Sequence, residues 1–185
     1  MNELDDAKLV VLVQATRDPR AFEILVRRHQ PALVAFLRAL GADDGLVEDA
    51  AQRALLKAYD KIAQFESRSS FKTWLFTIAC REHGQLVRKK RSEPSMTSWD
   101  EAFAGTDDAV GAHRVEHRLD LEIALAGLSP PERTAVLLCD AYGFSNSEAA
   151  TAMNKPLGTI KTYVRRARAV LRQRLGAAEK DGDHV

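Results

Sequence analysis

The 185-residue chain has only two cysteines, Cys80 and Cys139. They are too few and too far apart for a disulfide framework and read as reduced thiols in helical segments. Net charge is nearly absent as well, +1 at pH 7. Any nucleic-acid contact must therefore come from local clustering of basic residues and not from a globally basic surface. No apolar run approaches the ~18 residues that suggest a membrane span. The start, MNELDDAKLVV, is acidic where a secretory signal would be basic, so the expected location is the cytoplasm. A Gly-rich phosphate loop, a His-Glu-x-x-His motif and a nucleophile elbow are all missing, and the five histidines are scattered. Cys80 and His83, three apart, would make half a metal site, but no second pair stands at ligand spacing. No catalytic residue, metal or other cofactor is expected. Nor does any stretch alternate as a strand would. With 45% apolar and 29% charged residues, the expectation is an ordinary globular, all-α chain.

What is present is concentrated from Ser145 to Leu175, SNSEAATAMNKPLGTIKTYVRRARAVLRQRL. Ser145 and Glu148 have the spacing of a capping box at a helix start. Asn154-Lys155-Pro156 stops that helix, because Asn tolerates the left-handed conformation and Pro opens a new helix at no donor cost. Ile160, Val164, Ala167, Leu171 and Leu175 then recur as one apolar stripe. Lys161, Arg165, Arg168 and Arg172 form a cationic stripe rotated about 100° from it. A helix that packs on one flank and is basic on the next is what a helix-turn-helix needs in a DNA major groove.

Ahead of this motif the pattern is helical from Leu4 to Ala15. It resumes after Asp18-Pro19 through Phe22, Leu25, Val26, Leu33, Phe36, Leu37 and Leu40, with Pro31 expected to kink or divide the helix. Asp43 or Asp44 can cap the next helix, whose Val47, Ala50, Ala51, Ala54, Ala58 and Ile62 face the core. A polar loop from Gln64 to Ser70 follows. The next helix carries Phe71, Trp74, Leu75, Ile78, Ala79 and Leu86 and ends in Arg88-Lys89-Lys90-Arg91. From Ser92 to Ala112 there are five acidic residues and no basic one, which reads as a flexible acidic linker. Within it, Trp99 and Phe103 either form a helical turn that docks on a partner or cover an apolar patch of this chain. Helical pattern returns through Val115, Leu119, Ile123, Ala124 and Leu128. Ser129-Pro130-Pro131-Glu132 starts a further helix, Thr134 to Ala141 is apolar enough to be central, and Gly143 ends it. The tail from Glu179 is polar and expected to fray. Three features point to nucleic acid: the basic helix-turn-helix, the Arg88 to Arg91 run, and the Phe65 to Ser70 loop. In that loop an aromatic among small polar residues could stack on or enclose a base taken from the duplex.

The two blocks together resemble an extracytoplasmic-function sigma factor of the sigma-70 family, the minimal bacterial type with only regions 2 and 4. VEDAAQRALLKAYDKIAQF and SSFKTWLFTIA are similar to region 2. LSPPERTAVLL, GFSNSEAATAM and PLGTIKTYVRRARAVLRQRL are similar to region 4. The resemblance implies two small helical domains: region 2 over 1–91 and region 4 over 113–176, with a linker at 92–112 and a disordered tail at 177–185. It implies docking on core RNA polymerase through Asp49, Gln52, Arg53 and Leu56. It also implies −10 recognition and melting by Phe65, Ser67, Arg68, Ser69, Lys72, Arg81, Arg88 and Lys89. The −35 element would be read by Thr159, Lys161, Thr162, Arg165 and Arg166. Promoter DNA is thus an expected partner, as is an anti-sigma factor or other regulator, and no membrane insertion is expected.

Departures from the family pattern bear on these roles. Arg53 follows the Asp-x-x-Gln where Glu is usual, a charge reversal on the docking face. Arg81 and Gln85 replace a common Asn and Asp, and Asn154 replaces a usual Gly. Two other readings compete. A helix-turn-helix repressor or activator would leave the Asp49/Gln52 face and the Phe65 loop unused. A partner-binding regulator would keep the fold without promoter melting.

Overall fold

Carboxylate caps fix where the chain turns in its first half. The computed structural model describes residues 4–41, 43–92 and 120–181. Helix α1 (Asp6–Thr16) starts after Asp5, whose carboxylate accepts from the Lys8 amide at 2.8 Å. It ends at Arg17 in the left-handed conformation, φ 55°. Helix α2 (Pro19–Ala39) opens on a proline, tolerated in the first turn because its missing N–H would be unpaired there. Pro31 does not divide α2, which runs through it as one element. Pro31 and Arg27 are both exposed, so water can serve the Arg27 carbonyl that loses its donor.

Helix α3 (Asp44–Lys61) is capped by Asp43, which accepts from the Leu46 amide at 2.9 Å. Its Val47, Ala50, Ala51, Ala54 and Ala58 are buried. Alanines at helical spacing keep that face low, so helix α4 (Phe71–Ser92) can pack close against it. Leu75, Phe76 and Ala79 of α4 are buried in turn. Phe36 of α2 meets Phe76 with ring centroids 5.2 Å apart. A 3-10 turn (Ile62–Gln64) ends α3 and leads into the loop before α4.

The second half begins with helix α5, residues 120–126. Helix α6 (Pro130–Val136) starts in a capping box between Ser129 and Glu132, and passes directly into a π-helical turn (Leu137–Ala141). The central helix expected from Thr134 to Ala141 is therefore present, but its second part is wider than an α-helix. The Tyr142 amide reaches the Leu137 carbonyl at 3.1 Å and the Phe144 amide reaches Leu138 at 2.9 Å. Gly143, φ 77°, turns the chain there and Phe144 enters the core. Helices α7 (Asn146–Met153) and α8 (Leu157–Asp181) follow. Ala124, Leu128, Ala135, Leu138, Ala149, Ile160, Val164 and Ala167 form the core of this half. α8 continues to Asp181, through part of the segment expected to be a disordered tail, because Ala177, Ala178, Glu179 and Lys180 are good helix formers.

The described residues cluster into two compact units, one mainly α1 to α4 and the other mainly α5 to α8. Among the described residues every regular element is helical, which agrees with the all-α expectation. The linker expected at 92–112, except Ser92 at the end of α4, lies outside the described residues. So do Trp99 and Phe103, and the first part of the helix expected from His113.

Candidate nucleic-acid and protein interfaces

The helix-turn-helix is assembled by its caps. Ser145 donates its backbone N–H to Glu148 Oε2 at 2.9 Å, and its hydroxyl accepts from the Glu148 amide at 3.2 Å. This is the reciprocal box expected from the sequence. Asn154 adopts φ 50°, and the Lys155 amide closes the end of α7 on the Ala150 carbonyl at 3.0 Å. The Pro156 carbonyl accepts from Thr159 and Ile160 to start α8.

On α8, Ile160, Val164 and Ala167 are buried. Lys161, Arg165 and Arg166 are exposed, and Thr159 and Thr162 are half-buried. Lys161, Arg165 and Arg166 make no ion pair among the described residues. The Thr162 hydroxyl donates to the Gly158 carbonyl at 2.9 Å. Arg168 is committed elsewhere: it makes a two-pronged contact with Asp140, Nη2 to Oδ1 at 2.6 Å and Nε to Oδ2 at 2.9 Å. The cationic stripe read from the sequence therefore has one member engaged as a strut between the π turn and α8. An open cleft beside α8 is lined by Asn146, Lys161, Val164, Arg165, Arg168 and Arg172. Asn146, absent from the expected contacts, joins them because it lies at the start of α7. Sequence spacing within α8 gives no sign of it.

In the other unit, Asp49 and Arg53 lie one turn apart on α3 and form an ion pair, Arg53 Nε to Asp49 Oδ1 at 2.6 Å. Gln52 is exposed beside them, and Leu56 is 60% exposed. Lys57 reaches across to Glu82 of α4 at 2.7 Å, and Glu82 is buried. The sequence reading missed this cross-link, since the two residues stand in different helices.

The loop ahead of α4 differs from its expected design at one residue. Phe65 is 8% exposed, with its ring 4.9 Å from Trp74 and 6.3 Å edge-on from Phe71. Its ring is spent on the core and does not offer a face for stacking on a base. The loop's outer surface is Glu66, Ser67 at φ 54°, and Arg68, with Ser69 half-buried. Arg68 pairs with Glu66 at 2.6 Å in full solvent. Ser70 accepts from the Thr73 amide at 3.0 Å and so caps α4. Farther on, Lys72 is half-buried with its ammonium 5.9 Å from the centre of the Phe76 ring. Arg81, Arg88 and Lys89 are exposed along α4.

Burial acts on the thiols of both units and on His83. Burial pushes the Cys80 thiol up to about 12, and it holds the His83 imidazole below its ordinary value. Burial, then Asp140, raises Cys139. Both thiols stay protonated and inert at neutral pH. Among the described residues, no three His, Cys, Asp or Glu side chains are grouped to hold a metal ion, and no helix is long and apolar enough to cross a membrane.

Comparison with known proteins adds to this geometry. Residues 25–93 match the family model for Sigma-70 region 2, and residues 118–171 match Sigma-70, region 4. The chain is 32% identical over 178 residues to the ECF RNA polymerase sigma factor SigC of Mycobacterium tuberculosis, spanning 96% of this chain and 94% of that protein. It is 30% identical over 180 residues to the ECF RNA polymerase sigma-E factor of Escherichia coli strain K12, spanning 91% and 93%. It is similar in structure to the sigma factor RpoE co-crystallised with the anti-sigma factor NepR from Bartonella quintana. The TM-score is 0.68 at 32% identity, covering 84% of this chain and 96% of that one.

Proposed function

The chain belongs to the sigma-70 family as an extracytoplasmic-function factor, one that binds core RNA polymerase and promoter DNA and directs promoter-specific initiation, and from that premise we propose how its residues divide the work. Residues 1–91 act as region 2 and residues 113–176 as region 4, joined by the acidic stretch 92–112. The outer face of α3 docks on polymerase. Leu56 supplies an exposed apolar anchor and Asp49, Gln52 and Arg53 a polar surround, the usual make-up of a protein interface.

The loop of Ser67, Arg68 and Ser69 holds the extruded −10 base, with Phe65 anchoring the loop from beneath. Lys72, Arg81, Arg88 and Lys89 track the strand backbone along α4. Arg165, Arg166 and Lys161 on α8 contact guanine edges or phosphates of the −35 element, with Thr159 and Thr162 beside them. The observation that carries this reading is the exposed cationic side of α8, turned out of a capped helix-turn-helix.

The factor works in the cytoplasm with the polymerase, which supplies all bond-making chemistry; the chain itself is no enzyme. An anti-sigma factor is proposed as its controlling partner, supported by the likeness to a sigma factor crystallised with one.

The test is reconstitution with purified core polymerase on genomic promoter fragments. Discrete run-off transcripts that require this chain are expected. Tight sequence-specific DNA binding by the chain alone, with no initiation when core is added, would instead make it a repressor.

A further inference from the structure

Helix α1 lies ahead of both segments that match the family models, and none of the contacts assigned above falls on it. Yet one of its side chains reaches the base of the −10 loop. The Gln14 amide nitrogen donates twice, to the Ile62 carbonyl at 2.8 Å and to the Phe65 carbonyl at 2.8 Å. These carbonyls stand where the 3-10 turn ends and helical donors run out. The Ile62 oxygen also accepts from the Phe65 amide at 3.0 Å.

A primary amide carries two N–H groups in a fixed fork. Using both on carbonyls three residues apart fixes the height and the direction at which the chain leaves the turn. Phe65 is held from its other side by the Trp74 and Phe71 rings. Ser67 then takes its left-handed turn two residues on.

Gln14 is itself held in place. Arg17, just past the end of α1, donates to the Tyr59 carbonyl at 2.9 Å, and the Tyr59 hydroxyl donates back to the Arg17 carbonyl at 3.2 Å. The Arg17 guanidinium also lies over the Tyr59 ring, 5.5 Å from its centre. The end of α1 is thus riveted to the last turn of α3, and Gln14 spans from there to the loop.

We infer that Gln14 is a positioning residue for the Ser67 to Ser69 loop and sets the geometry in which that loop receives the extruded −10 base. The inference deepens the assignment of the loop and rests on it.

The test assembles holoenzyme from core polymerase and four versions of the chain: wild type, Gln14→Met, Gln14→Asn and Ser69→Ala. Each transcribes a promoter library randomised across the −10 element. Gln14→Met keeps the length and removes both donors. Its discrimination at the base read by the loop is expected to fall about tenfold, the loss of one good contact. Core affinity and −35 preference are expected to stay at wild-type values. Gln14→Asn, with the amide withdrawn by one methylene, is expected to fall part of the way, and it decides the matter if Gln14→Met does not assemble. A purely structural role would lower transcript yield on every sequence alike and leave discrimination intact, which would overturn the inference. Altered preference in Ser69→Ala with wild-type preference in the Gln14 variants overturns it while sparing the loop assignment. Unchanged preference in Ser69→Ala removes the loop assignment and the inference together.

Discussion

Arg53 changes the charge that the proposed docking face of α3 offers a partner. Its guanidinium is bound to Asp49 at 2.6 Å, and that hydrogen bond and charge hold its pKa up. The Asp49 carboxylate on the proposed docking face is therefore already occupied. An exposed ion pair of this kind contributes little to stability, so its effect falls on binding. Replacing Arg53 with Glu frees Asp49 and makes the face acidic. We expect Arg53→Glu to bind core polymerase about fivefold more tightly at low salt, with the gain shrinking as salt is raised. Titration of labelled core measures it, and equal or weaker binding rejects the idea. The Ser145 and Glu148 box was legible from spacing because its partners lie within one turn, whereas Arg53 was read as a charge reversal without its Asp49 partner. Phe65 was legible only as an aromatic in a polar loop. Its burial depends on Phe71 and Trp74 closing over it, which no local pattern states. Gln14 was invisible for the same reason, since its two acceptors lie 48 and 51 residues away.

Among the elements, α3 is held at its start by two ties on one residue. Asp43 caps the helix through the Leu46 amide and also pairs with Lys90 of α4. The Lys90 ammonium, then the Leu46 N–H, hold the Asp43 carboxyl below its ordinary value of 3.8. A lowered pKa means the folded chain favours the charged form. The stabilisation is complete above the ordinary value and is lost as pH falls through the lowered one. Asp43→Ala is accordingly expected to cost about 1 kcal/mol at pH 7. The difference from wild type should narrow as the pH falls below the ordinary value of 3.8 and on through the lowered one. Urea unfolding at a series of pH values measures both, and a cost unchanged in acid would show that the charge plays no part. Caps and apolar spacing made most helices readable in advance, α3 with its alanine face above all. Pro31 did not divide α2, and spacing does not say that Pro31 and Arg27 both stand on an exposed side of the helix. The π turn escaped because it depends on where Phe144 finds its pocket.

Across the whole molecule, the order of the two motif blocks and the basic flank of α8 were plain in the sequence, whereas its uncovered apolar side chains became visible only in the fold. Val11 and Leu56 are 61% and 60% exposed in one unit, and Leu121, Ile123 and Leu157 are 44%, 63% and 43% exposed in the other. The chain's net charge of +1 at pH 7 does nothing to keep copies apart. Light scattering of the free protein is expected to peak near the isoelectric pH its sequence implies, about 7.8, and the fraction of this chain that sediments as aggregate is expected to drop when core polymerase is added. Scattering indifferent to pH would reject this. The exposed Leu56 then has a colloidal meaning as well as a docking one. A factor that clumps when unaccompanied sets a ceiling on its own free concentration, so the amount in solution follows the supply of proteins able to cover it.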